Sequence, residues 1–231
     1  MLKVENLTLH YGGSQILYGV DLEAEAGQVT CVMGTNGVGK TSLLKALAGV
    51  HPASGGTISL QDKQIDKLSA YARAQHGVGY VPQGRMIFPL LTVRENLETG
   101  FACLPKDQRS VPDEIYKLFP VLKEMQGRRG GDLSGGQQQQ LAIARAMILR
   151  PKVLLLDEPT EGIQPNIIQQ IGRVIDYLRD QGTMAIVLVE QYFDFAYERA
   201  DHFTVLQRGS VIASGTKDEL SESKVREAVS V

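Results

Sequence analysis

Short apolar runs alternate with amphipathic stretches along most of this 231-residue chain. Brief runs rich in valine, isoleucine and leucine are typical of buried strands, whereas apolar residues three and four positions apart are typical of helices. This alternation predicts an α/β fold with crossover connections and a mostly parallel sheet. The predicted strands are residues 2–9, 19–24, 28–33, 57–60, 77–81, 153–156, 184–189, 203–207 and 210–214, with a hairpin turn at Arg208 and Gly209 between the last two.

The pattern changes in the middle of the chain. Between residues 83 and 150 the apolar spacing becomes helical, and no run there is a convincing strand. We therefore expect a helical subdomain, about residues 84–150, inserted into a single domain that spans residues 1–231. The predicted helices of this part are 92–101, 112–119 and 137–149.

A glycine-rich turn follows the strand at 28–33. Residues 34–41 read GTNGVGKT and match the pattern G-x-x-x-x-G-K-[ST]. In that pattern the glycines let backbone N–H groups and a helix N-terminus face phosphates, the lysine reaches the β- and γ-phosphates, and the last hydroxyl binds Mg²⁺. Leucines at helical spacing predict the following helix at 40–50. The predicted ATP-binding residues of this turn are Gly34, Thr35, Asn36, Gly37, Val38, Gly39, Lys40, Thr41 and Ser42.

Two carboxylates end another apolar strand. Residues 153–156 are all apolar, as expected of a strand buried on both faces of a parallel sheet, and Asp157 and Glu158 follow directly. At that position Asp157 can hold Mg²⁺ and Glu158 can polarise a water molecule. A single carboxylate often does no more than end a strand, but an adjacent pair followed by Pro159 is less readily explained in that way.

A serine–glycine loop precedes the helix at 137–149. Ser134 and Gln137 have the spacing of a capping box. A well-capped helix is the simpler interpretation of that spacing. Gly135 and Gly136, however, expose backbone N–H groups at the positive end of a helix, where a phosphate binds favourably.

Composition narrows the classes of function. The chain has 24 basic and 26 acidic residues and a net charge of −2, without a long basic run, so nucleic acid is not expected as a partner. The first ten residues alternate like a strand and lack the apolar region of a signal peptide, and the apolar runs are far shorter than the about 20 residues of a membrane helix. Cys31 and Cys103 have no metal-binding spacing and are predicted to be structural thiols of a reducing compartment.

The motifs occur in an order that is typical of one family. Tyr11, the glycine turn, Gln83, the serine–glycine loop and the acidic strand follow one another as in the ATP-binding subunits of ABC transporters, which the chain resembles over nearly its whole length. The resemblance implies a P-loop NTPase core, an N-terminal antiparallel β subdomain and the inserted helical subdomain. It also implies that ATP, bound with Mg²⁺, is hydrolysed to drive transport.

The resemblance further implies a shared nucleotide site. In the family the loop that corresponds to Ser134, Gly135, Gly136 and Gln137 faces the γ-phosphate of the ATP bound to the opposite subunit, so one chain holds half of each site. We therefore expect ATP-dependent dimerisation with a second ATP-binding subunit, contact with transmembrane permease subunits and an indirect connection to a substrate-binding protein. The expected location is peripheral, at the cytoplasmic face of the bacterial inner membrane.

Particular segments resemble one branch of the family. Residues 80–85, 91–97 and 189–191 are similar to the second ATPase subunit of importers for branched-chain amino acids and related amides. Residues 161–166 and 191–196 are most similar to the urea-importer branch. The sequence does not determine the cargo, because other proteins of such a transporter select it.

Single residues also acquire roles through the resemblance. Tyr11 is expected to stack on adenine, and Gln83 to contact Mg²⁺ or the attacking water. Two positions depart from the family: Gln191 replaces its switch histidine, and Gln164 replaces an aspartate of the loop after the catalytic strand. Because glutamine cannot carry charge as an imidazole can, we expect weaker hydrolysis at this site and a different ATPase subunit as partner, with a homodimer as the alternative. The predicted catalytic residues are Glu158 and Gln191, and the predicted metal ligands are Thr41, Gln83 and Asp157.

Other functions agree less well with the sequence. A soluble ABC ATPase of DNA repair or translation would carry a coiled-coil insertion or two cassettes, and this sequence has neither. A regulatory or scaffold protein would be expected to have lost Lys40 or Glu158, and both are present. Contact with the permease and packing within the helical subdomain both stay open for the apolar residues after Gln83, which are Met86, Ile87, Phe88, Leu90 and Leu91.

Overall fold

A computed structural model describes residues 1–230. Within them, ten strands form two sheets, and every strand predicted from the sequence is present. The strands are β1 Leu2–Tyr11, β2 Ser14–Ala24, β3 Val29–Met33, β4 Gly55–Leu60, β5 Lys63–Gln64, β6 Val78–Val81, β7 Val153–Asp157, β8 Ala185–Val189, β9 His202–Gln207 and β10 Ser210–Thr216.

The two sheets differ in the direction of their strands. The larger has the order β10-β9-β3-β8-β7-β6, and only its β9–β10 pair is antiparallel. The smaller has the order β2-β1-β4-β5 and is antiparallel throughout. The structure therefore confirms a mostly parallel core sheet, an N-terminal antiparallel sheet and the late hairpin at Arg208 and Gly209.

Helices connect the parallel strands. Those predicted at 40–50, 92–101, 112–119 and 137–149 correspond to α1, α3, α4 and α6, while the other five were not predicted. The nine α-helices of the described residues are α1 Lys40–Ala48, α2 Ala70–Gln75, α3 Val93–Glu98, α4 Asp113–Leu118, α5 Pro120–Glu124, α6 Gly135–Ile148, α7 Pro165–Asp180, α8 Phe193–Arg199 and α9 Glu222–Ser230.

The larger sheet separates two apolar cores. Alternate residues of a strand point to opposite faces, so Leu154 and Leu156 of β7 join one core while Val153 and Leu155 join the other. Apolar residues of α3, α6 and α7 fill the first core, and those of α1 and the smaller sheet fill the second. Burial on both faces explains why β7 is apolar up to Asp157.

The two cysteines are free thiols. Cys31 is buried within β3, and Cys103 is half-buried. Across residues 1–230, each helix is too short or too polar to cross a bilayer. Residues 84–150 contain α3 to α6 and three short 3-10 helices. The only β structure described there is an isolated bridge between Thr92 and Arg129.

Candidate nucleotide site

Four neighbouring parallel strands bring most of the predicted motifs to one edge of the larger sheet. The order β3-β8-β7-β6 places the carboxyl ends of these strands side by side. β3 leads into the glycine turn, β6 is followed by Gln83, β7 ends at Asp157 and β8 is followed by Glu190. Ligands of open α/β sheets bind at this edge.

Glycine is required at two positions of the turn. Gly34 and Gly39 have φ angles of 146° and 108°. A Cβ on Gly34 would lie 2.3 Å from the carbonyl oxygen of Leu206, and a Cβ on Gly39 would lie 2.7 Å from Cδ2 of Leu17. The turn therefore packs tightly at its base, while its tip is exposed at Thr35, Asn36 and Gly37. Val38 is buried, and Thr41 and Ser42 are half-buried at the start of α1.

Lys40 is folded back onto this turn. Its Nζ donates to the carbonyl oxygens of Gly34 at 2.7 Å and of Thr35 at 3.0 Å. Burial lowers the pKa of Lys40, and the nearby Glu158 and Asp157 carboxylates oppose that effect. The site thus holds a largely buried ammonium group within a loop whose backbone leads into a helix N-terminus, which is a suitable arrangement for binding phosphate.

Asp157 is held by two hydroxyl groups. Oδ1 accepts a hydrogen bond from Thr41 Oγ1 at 3.1 Å, and Oδ2 accepts one from the Tyr80 hydroxyl at 3.3 Å. Burial raises the pKa of Asp157 because it disfavours the charged carboxylate, and the hydrogen bonds from Thr41 and Tyr80 oppose that effect. Carboxylate and hydroxyl oxygens are ligands that Mg²⁺ prefers, so the donor set fits Mg²⁺ together with ATP.

Glu158 lies between two side-chain amides. Gln83 Nε2 donates to its Oε2 at 3.1 Å and also to Glu161 Oε2 at 3.0 Å. Gln191 Nε2 donates to the other oxygen, Oε1, at 2.5 Å. The backbone of Glu158 has a φ of 49°, which is uncommon for a residue other than glycine and is often found at functional sites. The structure therefore brings Gln83, Glu158 and Gln191 into direct contact.

Glu190 and Tyr80 belong to this site but were not among the predicted site residues. Glu190 is 2% exposed and accepts hydrogen bonds from Thr160, Gln191 and Tyr192. A carboxylate directly after the fully apolar β8 repeats the pattern that identified Asp157 after β7, so a signal was present. The contact of Tyr80 with Asp157 depends on the pairing of β6 with β7, for which the local sequence has no signal.

The serine–glycine loop lines a different pocket. Ser134 and Gln137 form the predicted capping box at the start of α6. The loop borders a pocket of about 430 Å³ together with Gln164 and Ile167. Glu158 and Gln191, in contrast, border a pocket of about 350 Å³ with Asn36. Within one chain, the loop and the Glu158 carboxylate thus open into separate cavities.

Tyr11 lies at the end of β1 and is 40% exposed. Its ring centroid is 4.4 Å from that of His51, with the two planes tilted by 39°. His51 is fixed in turn by its Nε2, which lies 3.0 Å from the carbonyl oxygen of His10. The role of Tyr11 in stacking on adenine stays a prediction.

The family assignment follows from comparison with known proteins. The sequence model of the ABC transporter family matches residues 17–161, and the chain therefore belongs to this family of ATP-hydrolysing, ATP-binding subunits. The chain is 40% identical over 230 residues to the high-affinity branched-chain amino acid transport ATP-binding protein BraG of Pseudomonas aeruginosa, covering 99% of this chain and 98% of that protein.

Other relatives also match this chain over nearly their full length. A probable branched-chain amino acid transport ATP-binding protein, LivF of Archaeoglobus fulgidus, is 37% identical, with 96% of this chain and 94% of that protein covered. The lipopolysaccharide export protein LptB of Escherichia coli is 31% identical, with 96% and 93% covered.

Solved structures support the fold. The ADP conformation of an ATP-binding cassette of an ABC transporter has a TM-score of 0.83 at 26% identity, covering 100% of this chain and 94% of the other. The cbiO1 protein of Clostridium perfringens, part of an ABC transporter complex, has a TM-score of 0.81 at 29% identity, covering 99% and 93%.

Proposed function

We propose that this chain powers a membrane importer for branched-chain amino acids or related short-chain amides. The observation that carries the ATPase part is the convergence of Lys40, Asp157 and Glu158 at one sheet edge. The cargo rests on the full-length similarity to BraG and LivF. Urea is the narrower proposal, and it is supported only by the resemblance of residues 161–166 and 191–196 to urea importers.

The glycine turn and Lys40 are proposed to bind the phosphates of ATP. Lys40 donates to two neutral carbonyls, and the negative charge of phosphate oxygens would add a Coulombic attraction to the ammonium group that these carbonyls lack. The ammonium would therefore exchange the carbonyls of Gly34 and Thr35 for phosphate oxygens. Thr41, Asp157 and Gln83 would hold Mg²⁺, which when bound neutralises charge on the phosphates. Tyr11 would stack on the adenine ring.

Glu158 is proposed to act as the general base. Its carboxylate would accept a proton from the water that attacks the γ-phosphorus, so that ATP and water become ADP and phosphate. Gln83 and Gln191 orient the carboxylate, since each donates to a different oxygen of it. Gln191 supplies a neutral amide where the family has a histidine, and it therefore adds no positive charge to the site.

A second ATP-binding subunit is proposed to complete the site. Ser134, Gly135, Gly136 and Gln137 open into their own pocket, which is consistent with a phosphate supplied by the partner. A helix N-terminus with exposed N–H groups suits that phosphate. The departures at Gln164 and Gln191 favour a partner with a different sequence, and hence a heterodimer with two unequal sites.

The segment after Gln83 is proposed to contact the permease. Met86 and Leu90 are 65% and 79% exposed, so packing within the helical subdomain does not account for them. Phe88 is 49% exposed, and its ring also lies 5.3 Å from Cζ of Arg145 in α6. The segment begins directly after Gln83, which contacts Glu158, so permease contact and catalysis would be linked through one short loop. The protein would then lie peripherally at the cytoplasmic face of the inner membrane, as one domain whose helical subdomain is about residues 84–150.

The test is ATP-driven uptake by the assembled transporter. The chain is reconstituted in vesicles with permease and ATPase subunits encoded by neighbouring genes, and uptake of labelled leucine, a short amide and urea is compared. We expect uptake of one of these cargoes and ATP hydrolysis that rises with the permease. The Glu158→Gln variant is the inactive control. Hydrolysis that responds to DNA and not to the permease would instead support the soluble alternative.

A further inference from the structure

The Glu190 side chain forms a bridge between two loops of the site. Its Oε1 accepts hydrogen bonds from the backbone N–H of Thr160 at 3.1 Å and from the Thr160 hydroxyl at 2.7 Å. Its Oε2 accepts from the backbone N–H groups of Gln191 at 3.0 Å and of Tyr192 at 3.2 Å. A carboxylate has about four acceptor positions, so these four donors satisfy it.

The bridged loops carry Glu158, the proposed general base, and Gln191, whose amide donates to it. Thr160 lies two residues after Glu158, and Gln191 follows Glu190 directly. The backbone N–H of Glu158 also donates to the carbonyl of Val189 at 2.9 Å, so the ends of β7 and β8 are already joined. The bridge adds a second connection beyond the strand ends, and it fixes the loop from which Gln191 reaches Glu158.

Only a carboxylate satisfies this set of donors. Three of the four donors are backbone N–H groups, which cannot accept a hydrogen bond. A glutamine at position 190 would direct its own NH₂ group against donors of one loop. Burial of the charge is costly and raises the pKa of Glu190, an effect that the hydrogen bonds from Thr160, Tyr192 and Gln191 oppose. The bridge is therefore specific in its chemistry as well as its position.

We propose that Glu190 is a positioning residue for ATP hydrolysis, which ties the loop after Glu158 to the loop of Gln191 and so holds the Gln191 amide against the catalytic carboxylate. Glu190 itself has no free acceptor for a reacting group, because its oxygens are occupied by the four donors. This inference rests on the proposed roles of Glu158 and Gln191.

The first test compares two substitutions of Thr160 in the assembled transporter. Thr160→Val removes the hydroxyl donor and keeps the shape, whereas Thr160→Ser keeps the hydroxyl. We expect Thr160→Val to lower kcat about tenfold, as for the loss of one hydrogen bond to a buried charge, with KM for ATP changed less than about twofold. Thr160→Ser should retain kcat within about twofold. Equal effects of both substitutions would contradict the bridge.

The second test asks whether the effect acts through Gln191. In a Gln191→Ala background, Thr160→Val should lower kcat by less than about twofold, because the amide that it positions is already absent. An undiminished tenfold loss in that background would overturn the inference, since a merely structural effect would be additive.

Amide exchange provides a readout that does not depend on activity. In the full chain, the N–H groups of Gln191 and Tyr192 should exchange slowly with solvent, and faster in Glu190→Gln. Unchanged exchange would contradict the bridge. If Glu190→Gln does not fold, the comparison of Thr160→Val with Thr160→Ser is the test of the bridge. If the unmodified transporter hydrolyses no ATP, the proposed function fails as well. If it hydrolyses ATP normally and Thr160→Val leaves kcat unchanged, only this inference is overturned.

Discussion

The side-chain amide of Gln191 donates a hydrogen bond to Glu158, with 2.5 Å between Nε2 and Oε1. Gln83 donates to the other oxygen of the same carboxylate, so two neutral amides hold Glu158 from both sides. An amide has no proton that it can give up at neutral pH, and it adds no charge to the site. Glu158 is thus left as the group in this contact that can accept a proton from water.

Replacing Glu158 by glutamine should nearly abolish turnover. Glu158→Gln keeps the size of the side chain but removes the proposed general base, and such a group typically contributes about 10² to 10⁴-fold. We expect kcat for ATP hydrolysis to fall at least about a hundredfold while nucleotide binding is retained. With its partner present, the variant should also accumulate as an ATP-bound dimer in gel filtration. Turnover reduced less than about tenfold would show that Glu158 is not the base.

Restoring an imidazole should raise hydrolysis at this site. Gln191→His would place a group that can carry charge against Glu158 and near the γ-phosphate. An added positive charge about 4 Å from a negative one contributes about 1 kcal/mol in water, which corresponds to roughly a fivefold increase in rate. Single-turnover hydrolysis by the assembled transporter measures the effect, with Gln191→Ala as the control that should be slower than wild type. An unchanged rate would mean that glutamine is already competent.

The parts of the molecule that were predicted from the sequence are those with strong local signals. The strands on which the site is built are short, mostly apolar and fully buried, and the glycine turn combines backbone requirements and chemistry within residues 34–41. α7 was not predicted, although Ile171, Ile175 and Leu178 have helical spacing and Pro165 is a favourable first residue of a helix.

Other contacts depend on residues that are far apart in the sequence. Glu190 accepts a hydrogen bond from Thr160, which lies 30 positions away in the sequence. Asp157 accepts one from Tyr80, which lies 77 positions away. Such pairs follow from the order of strands in the sheet, which a single sequence does not determine. The strand that ends at Glu190 was predicted, but the donors that surround its carboxylate were not.

Removing the charge of Asp157 should stabilise the fold in the absence of Mg²⁺. Burial raises the pKa of Asp157, so folding favours its protonated form, and stability falls as pH rises from the ordinary carboxyl pKa to the raised one. Thr41 and Tyr80 donate to Asp157 through hydroxyl groups. A hydroxyl group can also accept a hydrogen bond, so it can pair with the side-chain amide of an asparagine at position 157. Asp157→Asn should melt at a higher temperature than wild type at neutral pH in a chelating buffer.

The same substitution should weaken Mg²⁺-dependent nucleotide binding, because a carboxylate ligand is lost. Asp62→Asn, at an exposed position, is the matched control and should change neither property. A lower melting temperature for Asp157→Asn would mean that its hydrogen bonds outweigh the cost of the buried charge.

Gly136 should not tolerate alanine, although it lies in the first turn of a helix. Alanine favours a helix over glycine by about 1 kcal/mol, so open space would make the substitution stabilising. A Cβ on Gly136, however, would lie 2.9 Å from Cγ1 and 3.1 Å from Cγ2 of Ile167. Rotation about χ1 cannot remove both γ carbons, because the side chain is branched at Cβ and its rotamers are restricted. We therefore expect Gly136→Ala to lower the free energy of unfolding by about 1–3 kcal/mol.

Urea denaturation of two matched variants separates this clash from other effects. Gly127→Ala is the control, since a Cβ there meets nothing within 4 Å. In an Ile167→Ala background both γ carbons are absent and only the Cβ of residue 167, at 3.3 Å, stays close, so Gly136→Ala should be much less destabilising. If Gly136→Ala is equally destabilising in both backgrounds, the contact between the serine–glycine loop and the start of α7 does not explain the glycine. Its remaining explanation would then be the exposure of backbone N–H groups for phosphate.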